Sequence, residues 1–221
     1  MTENKSNMKI VIVIGALLTI IDFIAGFLAY PYLPERVPTH WNISGQVDGW
    51  GSAWQGAFLF PLIMLGVFLL LIFLPKIDPK KRNYPQMNRA YSAIVLVIMM
   101  FFSVMYFGTL GSALGYFEKV PSLVHLGVGV LFIVIGNYMG KLKHNYFMGI
   151  RTPWTLASEE VWYKTHRMAG PFWVIGGIIF MVSSLMPAGF MTIIVLIVII
   201  GLVAVPIGYS YAIFRRLERE K

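Results

Sequence analysis

Long apolar runs separated by short polar segments dominate the chain. A helix needs about 20 apolar residues to cross a bilayer core of roughly 30 Å, and the sequence contains several runs near that length. The pattern predicts six spans, at residues 10–30, 53–74, 90–111, 120–139, 170–186 and 190–211. Pro187 and the two residues after it predict a tight turn between the last two spans. We therefore expect an all-α polytopic membrane protein, a six-transmembrane-helix bundle in which residues 1–221 form a single membrane domain.

Composition supports the same class. Hydrophobic residues make up 57% of the chain and charged residues 13%, and the mean hydropathy is +0.71. A soluble domain with these values would expose large apolar patches to water. The sequence contains no cysteine, which excludes disulfides, thiolate metal sites and cysteine nucleophiles.

The basic residues are distributed unevenly over the predicted loops. Sixteen of the 18 Lys and Arg residues fall on one face of the six-span arrangement, and only Arg36 and Lys119 fall on the other. Because basic loops resist translocation, the face that carries sixteen Lys and Arg residues is predicted to be cytoplasmic. Both termini lie on that face. The charges are spread thinly over four segments, which argues against direct nucleic-acid binding.

The longest predicted cytoplasmic segment, residues 140–169, is rich in charge and aromatic rings. Thr152 precedes Pro153, so its backbone is expected to be extended. Ser158, followed by two glutamates, predicts a helix start, and Gly170 and Pro171 are expected to end that helix.

One side of this predicted helix is apolar. The residues that share a sector of about 120° are Val161, Trp162, Thr165, Met168 and Ala169, whereas His166 falls outside it. We therefore predict a short interfacial cytoplasmic helix with its apolar face in lipid and its Trp and Tyr rings at the headgroup level. Two interpretations remain open: the helix anchors two spans at the interface, or a cytoplasmic partner binds its outer face.

The longest predicted extracellular loop, residues 31–52, combines prolines, glycines, aromatic rings and polar side chains. Asp48 before Gly49 predicts a turn. The density of His40, Trp41, Asn42, Asp48 and Trp50 suits contact with a peptide, a lipid headgroup or a sugar. His40 and Asp48 lack a third metal ligand, so a hydrogen bond that stabilises the loop is favoured over a metal site. We expect neither a metal nor a cofactor.

Two ionisable residues fall within predicted spans. Asp22 lies past the middle of the first span and His125 lies in the outer part of the fourth. A carboxylate at that depth costs at least a few kcal/mol unless it is paired, protonated or hydrated. His125 is one candidate partner and hydroxyl groups of neighbouring helices are the other, so the sequence leaves open a proton relay and a structural acid.

Two stretches resemble a known family. Residues 136–173, "GNYMGKLKHNYFMGIRTPWTLASEEVWYKTHRMAGPFW", are similar to the signature of the SdpI family of bacterial membrane proteins. Residues 33–52, "LPERVPTHWNISGQVDGWGS", resemble the short domain of unknown function that often precedes that signature. The resemblance implies a multi-pass protein of the bacterial plasma membrane. It also implies immunity against a secreted, membrane-active peptide toxin, and a signal relay that holds a helix-turn-helix repressor at the membrane.

The resemblance implies candidate partner-binding residues in both long loops. On the cytoplasmic side these are Asn137, Gly149, Arg151, Thr152, Pro153, Trp154, Thr155, Glu159, Trp162 and Arg167. On the extracellular side they are Pro38, His40, Trp41, Asn42, Gly45, Asp48 and Gly49.

Two other function classes remain as alternatives. A small proton-coupled transporter or permease would use Asp22 and His125. An intramembrane enzyme that acts on lipid would need a nucleophile and base set, and the sequence offers no convincing one. We therefore predict that the protein is not an enzyme.

Overall fold

The computed structural model describes residues 2–42, 46–117, 120–186 and 188–220, and over these residues the chain forms seven α-helices and one antiparallel β-hairpin. In chain order they are α1 (Thr2–Ala29), β1 (Arg36–Trp41), β2 (Val47–Ser52), α2 (Phe60–Ile77), α3 (Asn88–Ala113), α4 (Val120–Met139), α5 (Pro153–Ala157), α6 (Glu159–Ser183) and α7 (Ala188–Arg219). A π-helical turn, Gln55–Leu59, leads into α2, and 3-10 turns over Lys81–Met87 lead into α3. The predicted all-α membrane class is confirmed.

Five helical segments of the described chain are long and apolar enough to cross a bilayer: Met8–Tyr32, Gln55–Ile77, Lys81–Ala113, Val120–Met139 and Phe190–Arg219. The predicted fifth span, residues 170–186, corresponds to the second half of α6, and α6 is not among the five. The charged residues in the first part of α6 lower its mean hydropathy. The exact number of six spans therefore stays a prediction. Pro187, in the predicted turn between the last two spans, lies outside the described residues.

The predicted end of a helix at Gly170 and Pro171 is wrong, because α6 runs without interruption from Glu159 to Ser183. Tertiary packing accounts for the difference. A Cβ added at Gly136 would lie 2.7 Å from the Gly170 carbonyl oxygen, so α4 and α6 meet backbone to backbone. A proline is tolerated inside a helix that neighbouring helices support in this way. The predicted interfacial helix is therefore the first part of α6.

The α4 and α6 helices run antiparallel along most of their length. Gly129 is as close to Gly177 as Gly136 is to Gly170, and a Cβ at Gly177 would lie 2.6 Å from the Gly129 carbonyl oxygen. Nearer the other end of α4, the His125 ring stacks on Phe180 at 5.2 Å between ring centroids. This packing brings the end of α6 to the hairpin side of the bundle. The prediction of six spans requires α6 to run in this direction.

The α7 helix exposes an apolar stripe. Phe190, Ile193, Ile197 and Ile200 recur every three or four residues and are each more than half exposed. Such a stripe on a long apolar helix is typical of a surface that faces lipid.

The main hydrophobic core lies between α1, α2 and α3. It includes Phe68 of α2 and Tyr91 and Met99 of α3, and it extends beyond the ends of these helices to Leu142 and Trp162. The loop after α4 and the start of α6 are therefore packed onto the helix bundle. We call residues 140–169 the inner lobe.

Candidate functional site

The inner lobe turns at Thr152, whose backbone is extended (φ −95°, ψ 161°), as expected before proline. Thr152 and Thr155 form a reciprocal cap. The Thr155 N–H donates to the Thr152 hydroxyl oxygen at 3.1 Å, and the Thr152 N–H donates to the Thr155 hydroxyl oxygen at 2.9 Å. Both side chains are buried, so they build the start of α5. The next helix, α6, begins at the predicted cap, because the Ser158 hydroxyl accepts from the Val161 N–H.

A buried stack of Trp162 and His166 lies at the centre of the lobe, with 4.1 Å between ring centroids. The Trp162 indole N–H donates to the Leu142 carbonyl at 2.9 Å. The predictions that Trp162 lies at the lipid headgroups and that His166 lies outside the buried side are wrong, since both are at most 2% exposed. The apolar side of the helix packs on the protein's own loop rather than on lipid.

His166 is held as a neutral imidazole. Its Nδ1 donates to the Trp162 carbonyl at 2.8 Å and its Nε2 accepts the Ile150 N–H at 2.9 Å. Burial lowers the pKa of His166 to about 4. The Ile150 N–H can reach the ring because Gly149 adopts φ +121° and carries no Cβ; an added Cβ would lie 2.4 Å from the His166 Nε2.

Two other buried polar residues fix the loop before Gly149. The Asn145 carboxamide oxygen accepts the N–H groups of Phe147 and Met148, and its NH₂ donates to the carbonyls of Lys143 and Met148. Asp78, at the end of α2, accepts the Tyr146 N–H at 3.0 Å and thereby attaches this loop to the bundle.

A charged cluster joins the lobe to the loop between α2 and α3. The Lys80 ammonium donates to the His144 Nδ1 at 2.7 Å and to Glu159 at 3.2 Å. Burial and the Lys80 charge lower the pKa of His144. The hydrogen bond and charge of Lys80 lower the pKa of Glu159. Lys80 can donate to His144 only while that imidazole nitrogen is unprotonated.

The C-terminal helix also packs on the lobe. The hydroxyl groups of Thr152 and Ser210 lie 3.0 Å apart in a buried hydrogen bond. Trp154 packs against Tyr211, with 5.0 Å between ring centroids. Movement of α7 would therefore disturb the turn at Thr152 directly.

The predicted cytoplasmic residues divide into two groups by exposure. Thr152, Thr155 and Trp162 are buried, and Trp154 is half-buried. The exposed members are Asn137, Gly149, Arg151, Pro153, Glu159 and Arg167. Among the exposed ones, Arg151 donates to the Tyr146 carbonyl at 2.9 Å, and Arg167 donates to the Tyr163 hydroxyl at 3.2 Å.

The predicted extracellular loop forms a hairpin in which β1 pairs with β2. The predicted turn at Asp48 and Gly49 is wrong, because both lie within β2, where Gly49 pairs with His40. A Cβ at Gly49 would lie 2.7 Å from the His40 Cβ, so this cross-strand contact requires glycine. On the bundle side, Val37 is fully buried against Gly56.

The remaining predicted residues of the hairpin are mostly accessible. The His40 Nδ1 and the Asp48 carboxylate lie 2.5 Å apart, which supports the favoured hydrogen bond within the loop, and both side chains are exposed. Pro38, Trp41 and Asn42 are partly exposed, and the Asn42 carboxamide oxygen accepts the Gln46 N–H. Gly45 lies outside the described residues. No group of three or more potential metal ligands occurs among residues that the structure describes.

Asp22 and His125 have separate partners. The Asp22 side chain is fully buried and accepts from the Ser103 hydroxyl of α3 at 2.7 Å. The His125 Nδ1 donates to the Pro121 carbonyl one turn earlier in α4. Among the described residues, the hydrogen bonds of Asp22 and His125 go to different groups and do not join the two side chains.

Comparisons with known proteins match two separate parts of the chain. Residues 141–210 match the SdpI/YfhL protein family, and residues 17–65 match a domain of unknown function, DUF1648. A region of this chain is therefore similar to the SdpI/YfhL family. That region covers the inner lobe, α6 and most of α7, including Ser210, whereas the DUF1648 region contains the whole hairpin.

A curated relative matches almost the full length of the chain. The immunity protein SdpI of Bacillus subtilis (strain 168) is 26% identical over 206 residues, which cover 93% of this chain and 97% of the relative. No solved structure matches the chain significantly. The two motifs predict a resemblance to the SdpI family, and these matches confirm it.

Sequence reasoning missed four buried residues that shape or attach the inner lobe: Asp78, His144, Asn145 and His166. A local signal exists for two of them. Asn145, four residues before a glycine, is of a type that caps tight turns. His166 follows Trp162 by four residues, the spacing at which two rings meet on a helix. The contacts of Asp78 and His144 link distant parts of the chain, and no local pattern reveals them.

Proposed function

We propose that the protein is an integral membrane immunity protein of a bacterial plasma membrane, which protects the cell against a secreted, membrane-active peptide. The full-length match to a protein named for immunity carries this proposal. The protein acts without catalysis, by capturing the peptide at the outer leaflet before the peptide permeabilises the bilayer.

The hairpin is the surface that meets the peptide. Its His40, Asp48 and Trp50 side chains are exposed at the end of the bundle opposite the inner lobe. Trp50 supplies apolar contact area and the neighbouring polar groups supply hydrogen bonds, which together suit an amphipathic peptide. Val37 anchors this surface to the helices from beneath.

Survival of a peptide-sensitive host that expresses the protein tests this function. We expect the wild-type chain to raise the tolerated peptide concentration and His40→Ala with Trp50→Ala to remove most of that gain. Glu35→Gln, a change at another exposed residue before the hairpin, is the matched control. Unchanged survival with wild-type protein present in the membrane would refute the immunity function.

The inner lobe is proposed to bind a cytoplasmic repressor once peptide is captured. Buried Thr152, Thr155 and Trp162 hold the lobe in shape, so the exposed Arg151 and Glu159 are the side chains that meet the partner. Contacts of α7 with Thr152 and Trp154 provide a physical connection between the membrane helices and this surface.

A fluorescent fusion of a helix-turn-helix repressor encoded beside the gene tests the relay. We expect the fusion to move to the membrane when peptide is added, and Arg151→Ala to abolish that movement without loss of membrane insertion. Arg82→Ala, at an exposed basic residue on the same face, is the control. Equal recruitment by the Arg151 variant and the wild-type protein would refute the assigned surface.

A further inference from the structure

A groove of about 440 Å³ lies between α4 and α6 at the end of the bundle that bears the inner lobe. Its lining includes Gly136, Asn137, Arg167, Gly170, Val174 and Ile175. The groove exists because the close approach of Gly136 to Gly170 leaves no side chain to fill the space beside the crossing. It is distinct from the exposed Arg151 and Glu159 that we assign to the repressor.

The groove changes from polar to apolar along its length. Asn137 and Arg167 lie at the lobe end, close to the last residue of α4, Met139. Val174 and Ile175 lie two turns further into α6, within the predicted fifth span. Ile175 is 57% exposed. A molecule in the groove would thus have one end at the headgroup level and the other in the hydrocarbon.

The polar end carries positive charge that no described carboxylate neutralises. The guanidinium of Arg167 is exposed and donates to the Tyr163 hydroxyl at 3.2 Å. The two acids at the start of the same helix are engaged elsewhere, Glu159 with Lys80 and Glu160 with Lys164. Asn137 uses one N–H on the Ile133 carbonyl at 3.0 Å and retains a second.

The backbone adds a further polar feature. Pro171 has no N–H, so the carbonyl of Arg167, four residues earlier, lacks its usual helical donor. A hydroxyl group of a ligand would satisfy that oxygen. The lobe end of the groove therefore offers a cation, an amide donor and a carbonyl acceptor close together.

We propose that this groove binds one anionic phospholipid with a hydroxylated headgroup. The phosphate lies against Arg167 and the Asn137 amide, and one acyl chain lies along Val174 and Ile175. Charge complementarity selects the headgroup, because a guanidinium at the membrane surface favours a headgroup with net negative charge over a zwitterionic one. The site does not depend on the immunity function and would be present in the purified protein.

Native mass spectrometry of the full chain in a non-ionic detergent tests the proposal, with phosphatidylglycerol and phosphatidylcholine of identical acyl chains as probes. We expect one phosphatidylglycerol to bind about tenfold more tightly than phosphatidylcholine, which corresponds to one charge-assisted contact. Arg167→Gln should weaken phosphatidylglycerol binding about tenfold, and Arg167→Lys should restore part of it. Arg82→Gln, which removes an exposed charge on the same face, should leave binding unchanged.

A second variant tests the apolar end independently of charge. Ile175→Trp fills the groove where the acyl chain lies and should weaken both lipids. Inorganic phosphate is the third probe, and we expect it to compete poorly because it has no chain to bury. Equal affinity for the two lipids, equal losses in the Arg167 and Arg82 variants, or full displacement by inorganic phosphate would each overturn the proposal.

Discussion

The outer hairpin and the inner lobe use their recognisable residues in different ways. In the hairpin, the His40 and Asp48 side chains bond to each other across two strands and remain exposed. In the lobe, Thr152 and Thr155 are buried and accept hydrogen bonds from each other's backbone N–H groups. Trp162 is also buried, and its indole donates to the Leu142 carbonyl. These buried motif residues of the lobe therefore hold a shape, whereas the exposed ones in the hairpin form a surface. Substitutions should affect stability mainly in the lobe and recognition mainly in the hairpin.

The largest effect on stability is expected at Gly149. In Gly149→Ala, a side chain must adopt φ +121° and displace the His166 ring, which lies 2.4 Å from the added Cβ. Strain and overpacking together should cost about 4 kcal/mol. Gly140→Ala is the matched control, since its Cβ would meet only Arg167 at 3.6 Å. Thermal unfolding in detergent measures both, and equal midpoints for the two variants would contradict the geometry of the lobe.

A pH-dependent loss of stability is expected from His166, which lies before the predicted fifth span. Its folded pKa of about 4 is below the ordinary value of 6.5, so the unfolded chain takes up the proton first as the pH falls. The contribution of His166 is complete above pH 6.5 and is lost as the pH falls towards 4, by about 3 kcal/mol in all.

Thermal unfolding between pH 7 and pH 4.5 measures this effect. His166→Gln keeps an acceptor for the Ile150 N–H but cannot titrate in this range, so its unfolding midpoint should fall less with acid than that of the wild-type protein. The same dependence in both proteins would show that His166 is not the titrating group.

The smallest effect on stability is expected in the hairpin. His40→Ala removes an exposed contact with Asp48, where solvent screens the pair, so the loss should be about 0.5 kcal/mol or less. Under the proposed function, the same variant loses protection against the peptide. A shift of the unfolding midpoint as large as that of Gly149→Ala would remove the distinction between the two regions.

Hydropathy alone was enough to locate most of the helices, because long apolar runs leave few alternatives in a bilayer. It predicted the bounds of α4, Val120–Met139, as the structure has them. Gly170 and Pro171 were predicted to end a helix from local sequence alone. They do not end it, because packing against Gly136 supports α6 through both residues. Such a contact joins residues more than thirty positions apart and leaves no local pattern.

The apolar side of the first turns of α6 was also predicted from periodicity, but its surroundings were not. Trp162 could equally have faced lipid or protein, since both are apolar. The deciding contact is the Leu142 carbonyl, which accepts the indole N–H from a loop twenty residues earlier. In the hairpin, Asp48 and Gly49 have a turn-like sequence, yet strand pairing with His40 places both in β2.

The central claim is that the hairpin and the lobe lie on opposite sides of the membrane. The chain has no cysteine, so single cysteines can be introduced at the exposed Gln46 of the hairpin and the exposed Lys143 of the lobe. A maleimide that cannot cross membranes is then added to intact cells and, separately, to permeabilised cells. We predict labelling of Gln46→Cys in both samples and of Lys143→Cys only after permeabilisation. Labelling of Lys143→Cys in intact cells would contradict the account.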